Sequence, residues 1–193
     1  MAQTAEPKGV YDTIAGPFTW EDLEAAPDDG YRRELIQGAM IVSPTPIRRH
    51  QRALTRLLVV LDAAKTEGLE VIVAPFDWRT AEEGTSLEPD LLVVGHDEGD
   101  PGGHLPGDVI PRLVVEVASP STQRYDRTLK LATYERLQVP AYWIVDPTDD
   151  VRITELRLDD QGRYETRAEA AGENEFSTTW PFPLSLVPRT LTA

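Results

Sequence analysis

Residues 113–118 read Leu-Val-Val-Glu-Val-Ala, an apolar run interrupted by one carboxylate. A short run that is apolar on both faces is the pattern of a strand covered on both sides. Such a strand needs a layer against each face, which selects a layered α/β fold. Side chains alternate along a strand, so Val114, Glu116 and Ala118 share one face and Leu113, Val115 and Val117 the other. An ionised Glu116 inside an apolar wall is costly unless a cation or hydrogen-bond donors compensate it. Its plainer explanations are a strand end that faces solvent, or a buried salt bridge to an arginine.

A second carboxylate stands at the start of a second apolar run. Pro89-Asp90 leads directly into Leu91–Val94. If the two runs are neighbouring strands, the acids approach each other and repel unless a cation sits between them. Oxygen ligands without cysteine or histidine beside them select Mg²⁺ or Mn²⁺. The plain alternative for Asp90 is a turn acid at a strand entrance.

Composition narrows the classes. The chain has 193 residues, 40% of them hydrophobic, which is the size of one domain with a real core. It contains no cysteine, so disulfides, thiolate nucleophiles and Cys-type metal sites are excluded, and its three histidines form no HExxH pair. No apolar run reaches the ~20 residues that cross a bilayer, and the first residues lack a basic-then-apolar leader pattern, so a cytoplasmic protein without membrane association is expected. The net charge of −14 opposes nucleic-acid binding at first sight. The surplus is local, however. Residues 1–30 hold seven acids and one lysine, and residues 80–111 hold eight acids and no Lys or Arg, leaving the remainder balanced. Arg48, Arg49, Arg52 and Arg56 form a cluster without an acid, either a solvated helix face or a nucleic-acid contact.

The pattern along the chain predicts a loose arm over 1–17, a short helix Trp20–Ala26 capped by Thr19, and strands Tyr31–Gln37 and Ala39–Ser43 joined at Gly38. A long helix runs from about Ile47 to Glu67, with His50, Leu54, Leu57 and Leu61 on one face and Gly68 as its stop. Strands are expected at Glu70–Phe76, Asp90–Val94 and Leu113–Ala118, with an acidic loop Gly95–Pro111 between the last two. A helix over about Gln123–Gln138 and a strand Tyr142–Val145 complete a βαβ-like unit. Val151–Leu158 and Arg163–Ala168 read as a hairpin, and the proline-rich tail as irregular or an edge strand.

Three further residues carry chemistry. Glu34 lies in Arg-Arg-Glu-Leu-Ile-Gln before the long helix, where an exposed strand glutamate would be ordinary. Lys130, one of only three lysines, shares a helical face with Asp126, Tyr134 and Leu137. It either reaches toward a specific partner or makes an i,i+4 pair with Asp126. His50 is either a satisfied structural histidine or a phosphate or substrate contact.

The stretches YRRELIQGAMIVSPTP followed by RHQ, then EPDLLVV, then PRLVVEVASPSTQRYDRTLKLATYERLQVPAYWIVDP, span about residues 31–147. They resemble the PD-(D/E)xK restriction-endonuclease superfamily, in particular its Uma-two branch of predicted endonucleases. The resemblance implies a restriction-endonuclease-like fold: a mixed β-sheet flanked by helices in one α/β domain over 18–193, with an N-terminal arm 1–17 and a C-terminal hairpin and tail over 151–193. It implies Glu34, Asp90, Glu116 and Lys130 as catalytic residues, and Asp90, Glu116 and the backbone carbonyl of Val117 as ligands of Mg²⁺ or Mn²⁺. The superfamily places its lysine two residues after the glutamate, which here is Ala118. The branch supplies the amine from the next helix, at the position of Lys130. His50 matches a histidine typical of the branch. The activity implied is hydrolysis of nucleic-acid phosphodiester bonds, in DNA. Beside it, Arg48, Arg49 and Arg52 at the helix N-terminus, with His50, are candidate substrate contacts, and double-strand cleavage by a one-site domain would favour a homodimer. Two other readings stand beside this activity: a silent binding or assembly module that keeps the fold, and a hydrolase of small phosphodiesters. The ion's role requires that neither Asp90 nor Glu116 be tied to an arginine.

Overall fold

The computed structural model describes residues 12–98, 103–119 and 125–193. Most of the expected arm, and the start of the helix expected from Gln123, lie outside the described residues. No described helix is long and apolar enough to cross a membrane.

The central layer is a six-stranded sheet in the order β12-β11-β10-β9-β7-β4. Its strands are β4 (Leu69–Val73), β7 (Leu91–Gly95), β9 (Leu113–Val117), β10 (Ala141–Asp146), β11 (Arg152–Leu158) and β12 (Tyr164–Ala171). β7 runs antiparallel to both β4 and β9, with Leu91 opposite Val115. β9 and β10 are the parallel pair of the βαβ unit, with Glu116 opposite Ile144. The two carboxylate-bearing segments are therefore adjacent strands, as the sequence reading requires.

Each face of β9 has its own cover. Leu113, Val115 and Val117 pack against Ala53, Leu54, Leu57 and Leu61 of helix α2 (Arg48–Ala64), whose buried side is the expected one. Phe176, Phe182 and Leu191 from the C-terminal segment close the same core. That segment forms a small hairpin, β13 (Phe176–Thr178) and β14 (Leu184–Leu186), and a 3₁₀ turn over Pro188–Leu191. The expectation of an irregular tail or edge strand misses this hairpin.

The opposite face, with Val114 and Ala118, packs against Trp78, Leu87, Leu105, Tyr134 and Val139. These come largely from a second six-stranded sheet, ordered β1-β3-β2-β6-β5-β8. It comprises β1 (Asp12–Ile14), β2 (Arg32–Ile36), β3 (Ala39–Ser43), β5 (Asp77–Arg79), β6 (Ser86–Leu87) and β8 (His104–Leu105). The fold is thus one mixed sheet with a helix on one side and a second sheet on the other. β2 and β3 are joined by Gln37 and Gly38, with φ of 51° and 75°. Two consecutive positive φ values make the tight turn whose twist suits a two-residue hairpin. Helix α1 (Trp20–Glu24) begins with the predicted Thr19 cap, reciprocated by Asp22.

The helix after β9 departs from regularity. Asp126–Lys130 is one π-helical turn, followed by helix α3 (Leu131–Arg136). Tyr134 lies in α3, four residues after Lys130, and both are fully buried.

Candidate active site

Burial and strand register bring Glu34, Asp90, Glu116 and Lys130 into one ionic cluster beneath the second sheet. Each is at most 3% exposed. Glu116 leaves β9 on the Val114–Ala118 face, where alternation places it. Its Oε1 accepts from Lys130 Nζ at 2.7 Å and from the Tyr134 hydroxyl at 2.6 Å. Lys130 also lies 2.9 Å from Glu34 Oε2, so the ammonium bridges two acids from different layers. The specific partner expected for Lys130 is observed. The β2–β3 hairpin carries Glu34 inward, and the Glu88 backbone N–H fixes its other oxygen at 2.9 Å.

Asp90 sits at the mouth of β7. Its Oδ2 accepts the Val117 N–H at 2.8 Å and lies 3.1 Å from His50 Nε2. Val117 enters the site through this N–H. His50, on the first turn of α2, is 5% exposed and thus joins the cluster from the opposite core. Asp90 Oδ1 accepts from Arg32 Nη1 at 2.9 Å. Arg32 Nε also lies 3.0 Å from Glu88 Oε1. An arginine on Asp90 is the arrangement that the metal reading has to do without.

The electrostatics follow from burial and partners. Burial would raise the Asp90 carboxyl, but Arg32, His50 and the Val117 N–H outweigh it and hold it well below the usual range. Burial pushes Glu116 up; Lys130 opposes this, while Asp90, Glu34 and Asp126 push it further. Burial likewise raises the Tyr134 phenol, helped by Glu116, so Tyr134 stays a hydrogen-bond donor.

The arginine cluster is divided. Arg48, Arg49 and Arg52, with Thr192, line an open cavity of about 350 Å³ at the start of α2. Arg52 donates to the Thr192 carbonyl at 3.1 Å, and Arg56 to the Thr190 carbonyl, so both tie the C-terminal turn to α2. Arg49 lies 3.5 Å from the fully exposed Asp149. Arg48, Arg49 and Arg52 are all exposed.

Two contributors were missed. Arg32 shares a strand face with Glu34 by period-two alternation, which is a legible signal. Tyr134 is i+4 from Lys130 and shares its helical face, so its convergence on the same acid was also legible.

The site chemistry bears on a divalent ion in two ways. The candidate ligands are oxygens, the Asp90 and Glu116 carboxylates and the Val117 carbonyl, the set preferred by Mg²⁺ or Mn²⁺. His50, contrary to the expectation of no histidine nearby, stands 3.1 Å from Asp90. Glu34, Asp90 and Glu116 outnumber Arg32 and Lys130, and Glu116 accepts only at Oε1 among the described residues. The residue types therefore fit such an ion. Among the described residues, however, no three acid or histidine side chains are already placed to hold one. Uptake requires Arg32 to leave Asp90 Oδ1.

The comparisons with known proteins agree with this architecture. No curated protein sequence matches the chain. A crystal structure of "a putative nuclease belonging to DUF820" from Anabaena variabilis has the same fold, with a TM-score of 0.68 at 18% identity over 91% of this chain and 98% of that chain. The Uma2 family model, described as "Putative restriction endonuclease", matches residues 20–191. That span contains every residue of the ionic cluster, and the chain belongs to the Uma2 family.

Proposed function

We propose that this protein is a metal-dependent endonuclease that hydrolyses DNA phosphodiester bonds, acting as a homodimer in the cytoplasm. Family membership and fold support the nuclease class. The observation that carries the finer reading is the buried contact of Glu34, Glu116 and Lys130, from three separated segments, with Asp90 at the mouth of the adjoining strand near enough to act on Glu116. Asp90, Glu116 and the Val117 carbonyl would hold Mg²⁺ or Mn²⁺. A bound ion of this kind polarises a phosphate oxygen and acidifies a water.

The chain's own groups do the rest. Lys130 presents a positive charge beside the place where charge grows on the phosphate. Glu34 holds that ammonium from the far side, and Tyr134 fixes the Glu116 carboxylate. His50 orients Asp90 from α2. Arg48 and Arg49 meet the backbone phosphates, which position the substrate without reading its sequence. Two copies would put one site on each strand of a duplex.

A second reading rests on the Arg32–Asp90 pair: the cluster is a permanent ion network and the protein is a silent binding module. Mn²⁺ titration by calorimetry, run beside plasmid cleavage, separates the two. For the nuclease, the wild type binds Mn²⁺ and cuts, and Asp90→Ala and Glu116→Ala each lower cleavage by about 10²-fold or more. Equal cleavage by the wild type and both variants removes the acids from the mechanism. Neither binding nor cleavage in the wild type selects the silent module.

A further inference from the structure

Beside Asp90, between the first three turns of α2 and the chain leaving β4, lies a second open cavity of about 350 Å³. This is within the range of small-ligand pockets. Pro46, Leu54, Leu58, Val73 and Pro75 give it apolar walls. Arg32, Glu88, Asp90, His50, Gln51 and Thr55 supply its polar groups, so the cavity opens directly onto the Asp90 end of the candidate site. Two of these residues carry buried nitrogens with no partner among the described residues, Arg32 Nη2 and His50 Nδ1.

The charge balance says which part of a nucleotide belongs there. The Arg32 guanidinium is shared between Asp90 and Glu88, so the cavity offers no surplus positive charge to a phosphate. Apolar walls with a few donors and two carboxylates, both engaged by Arg32, suit a flat neutral ring with polar edges. Glutamate accepts from an exocyclic amine, while arginine and glutamine donate to ring and carbonyl acceptors. The phosphate side lies next door. At 3.6 residues per turn, Arg48, Arg49 and Arg52 occupy the face of α2 adjoining that of Gln51, Thr55 and Leu58. Two cavities, one basic and one apolar, thus flank the same turns of one helix.

We propose that the cavity between α2 and the end of β4 receives one nucleobase of the substrate, unstacked from its neighbours, while the adjoining phosphates pass over the arginine face of α2. The proposal deepens the nuclease reading and rests on it for the identity of the substrate. Unstacking costs a few kcal/mol in a duplex and less in single strands, so single-stranded or locally opened DNA is the preferred form.

The test is saturation-transfer NMR on the full chain with dAMP, dGMP, dCMP and TMP, with inorganic phosphate as competitor. Saturation is expected at the base protons of at least one nucleotide, persisting in excess phosphate. It falls at least fivefold in Leu58→Trp, which fills the cavity, and in Thr55→Trp, placed at its exposed rim to guard against misfolding. Thermal melting verifies that the variants are folded. No saturation, equal saturation in wild type and both variants, or displacement by phosphate alone overturns the proposal. Plasmid cleavage is measured in parallel. Cleavage without cavity-dependent nucleotide binding sinks the pocket and leaves the nuclease. Cavity-dependent binding without cleavage under Mg²⁺ or Mn²⁺ supports the pocket and sinks the hydrolase.

Discussion

Leu113, Val115 and Val117 leave β9 toward α2, while Val114, Glu116 and Ala118 leave it toward the second sheet. All six are nearly fully buried. On the α2 side the strand packs into an apolar cluster, and stability there follows packing and apolar area. On the other side a single carboxylate draws in Lys130, Tyr134 and Glu34. Equal burial thus conceals two kinds of interior. One tolerates any well-shaped hydrophobe, and the other depends on each charge keeping its counterpart.

The largest test of this contrast places the same group on the wrong face. Val115→Asp buries an acid with no cation nearby and should cost more than ~4 kcal/mol, enough to unfold a protein of ordinary stability. Urea denaturation of the soluble fraction reads the loss. A milder outcome would mean that the α2 side reorganises to admit water.

Next in size is removal of the cation from the charged face. Lys130→Met leaves Glu34 and Glu116 without their ammonium and should cost about 3–5 kcal/mol. Adding Glu116→Gln to that variant should restore much of the loss, because the remaining acid then has a neutral neighbour. If the double variant is as unstable as the sum of the single ones, the pair is not energetically coupled.

The smallest effect comes from an acid remote from the cluster. Glu155 on β11 is raised above its ordinary 4.5 by burial, offset only in part by Thr178 and Arg157. An acid with a raised folded pKa contributes its full stability below the unfolded pKa and loses it as pH rises through the folded one. Glu155→Gln should therefore melt at a higher temperature than wild type at pH 8, and the difference should shrink toward pH 4. A constant difference across that range would place the effect in packing.

Sequence pattern carried a large part of this arrangement. The period-two split of residues 113–118 and the His50–Leu54–Leu57–Leu61 face both appear in the structure, because burial on a regular element is a local property. The convergence of Glu34 and Lys130 with Glu116 was implied by the family resemblance, whereas the residues alone left both open. β5, β6 and β8 were not legible. Elements of two or three residues have too little periodicity, and their pairing is decided by the partners they meet. The β2–β3 hairpin of the second sheet was expected, but the short strands that extend it over the site were not. Arg32 was visible as a strand residue, but its choice of Asp90 depends on how two sheets stack.

The π-helical turn at Asp126–Lys130 has a consequence for how this site can be switched off. A turn of this kind accommodates an extra residue within a helix. Deleting one residue upstream would let the helix wind evenly and rotate everything before it out of phase with α3. Lys130 and Tyr134 lie after the deletion and keep their common face, so what changes is the angle at which that face meets Glu116 on β9. A single codon lost there would turn the amine and the phenol together away from the centre while leaving its acids in place.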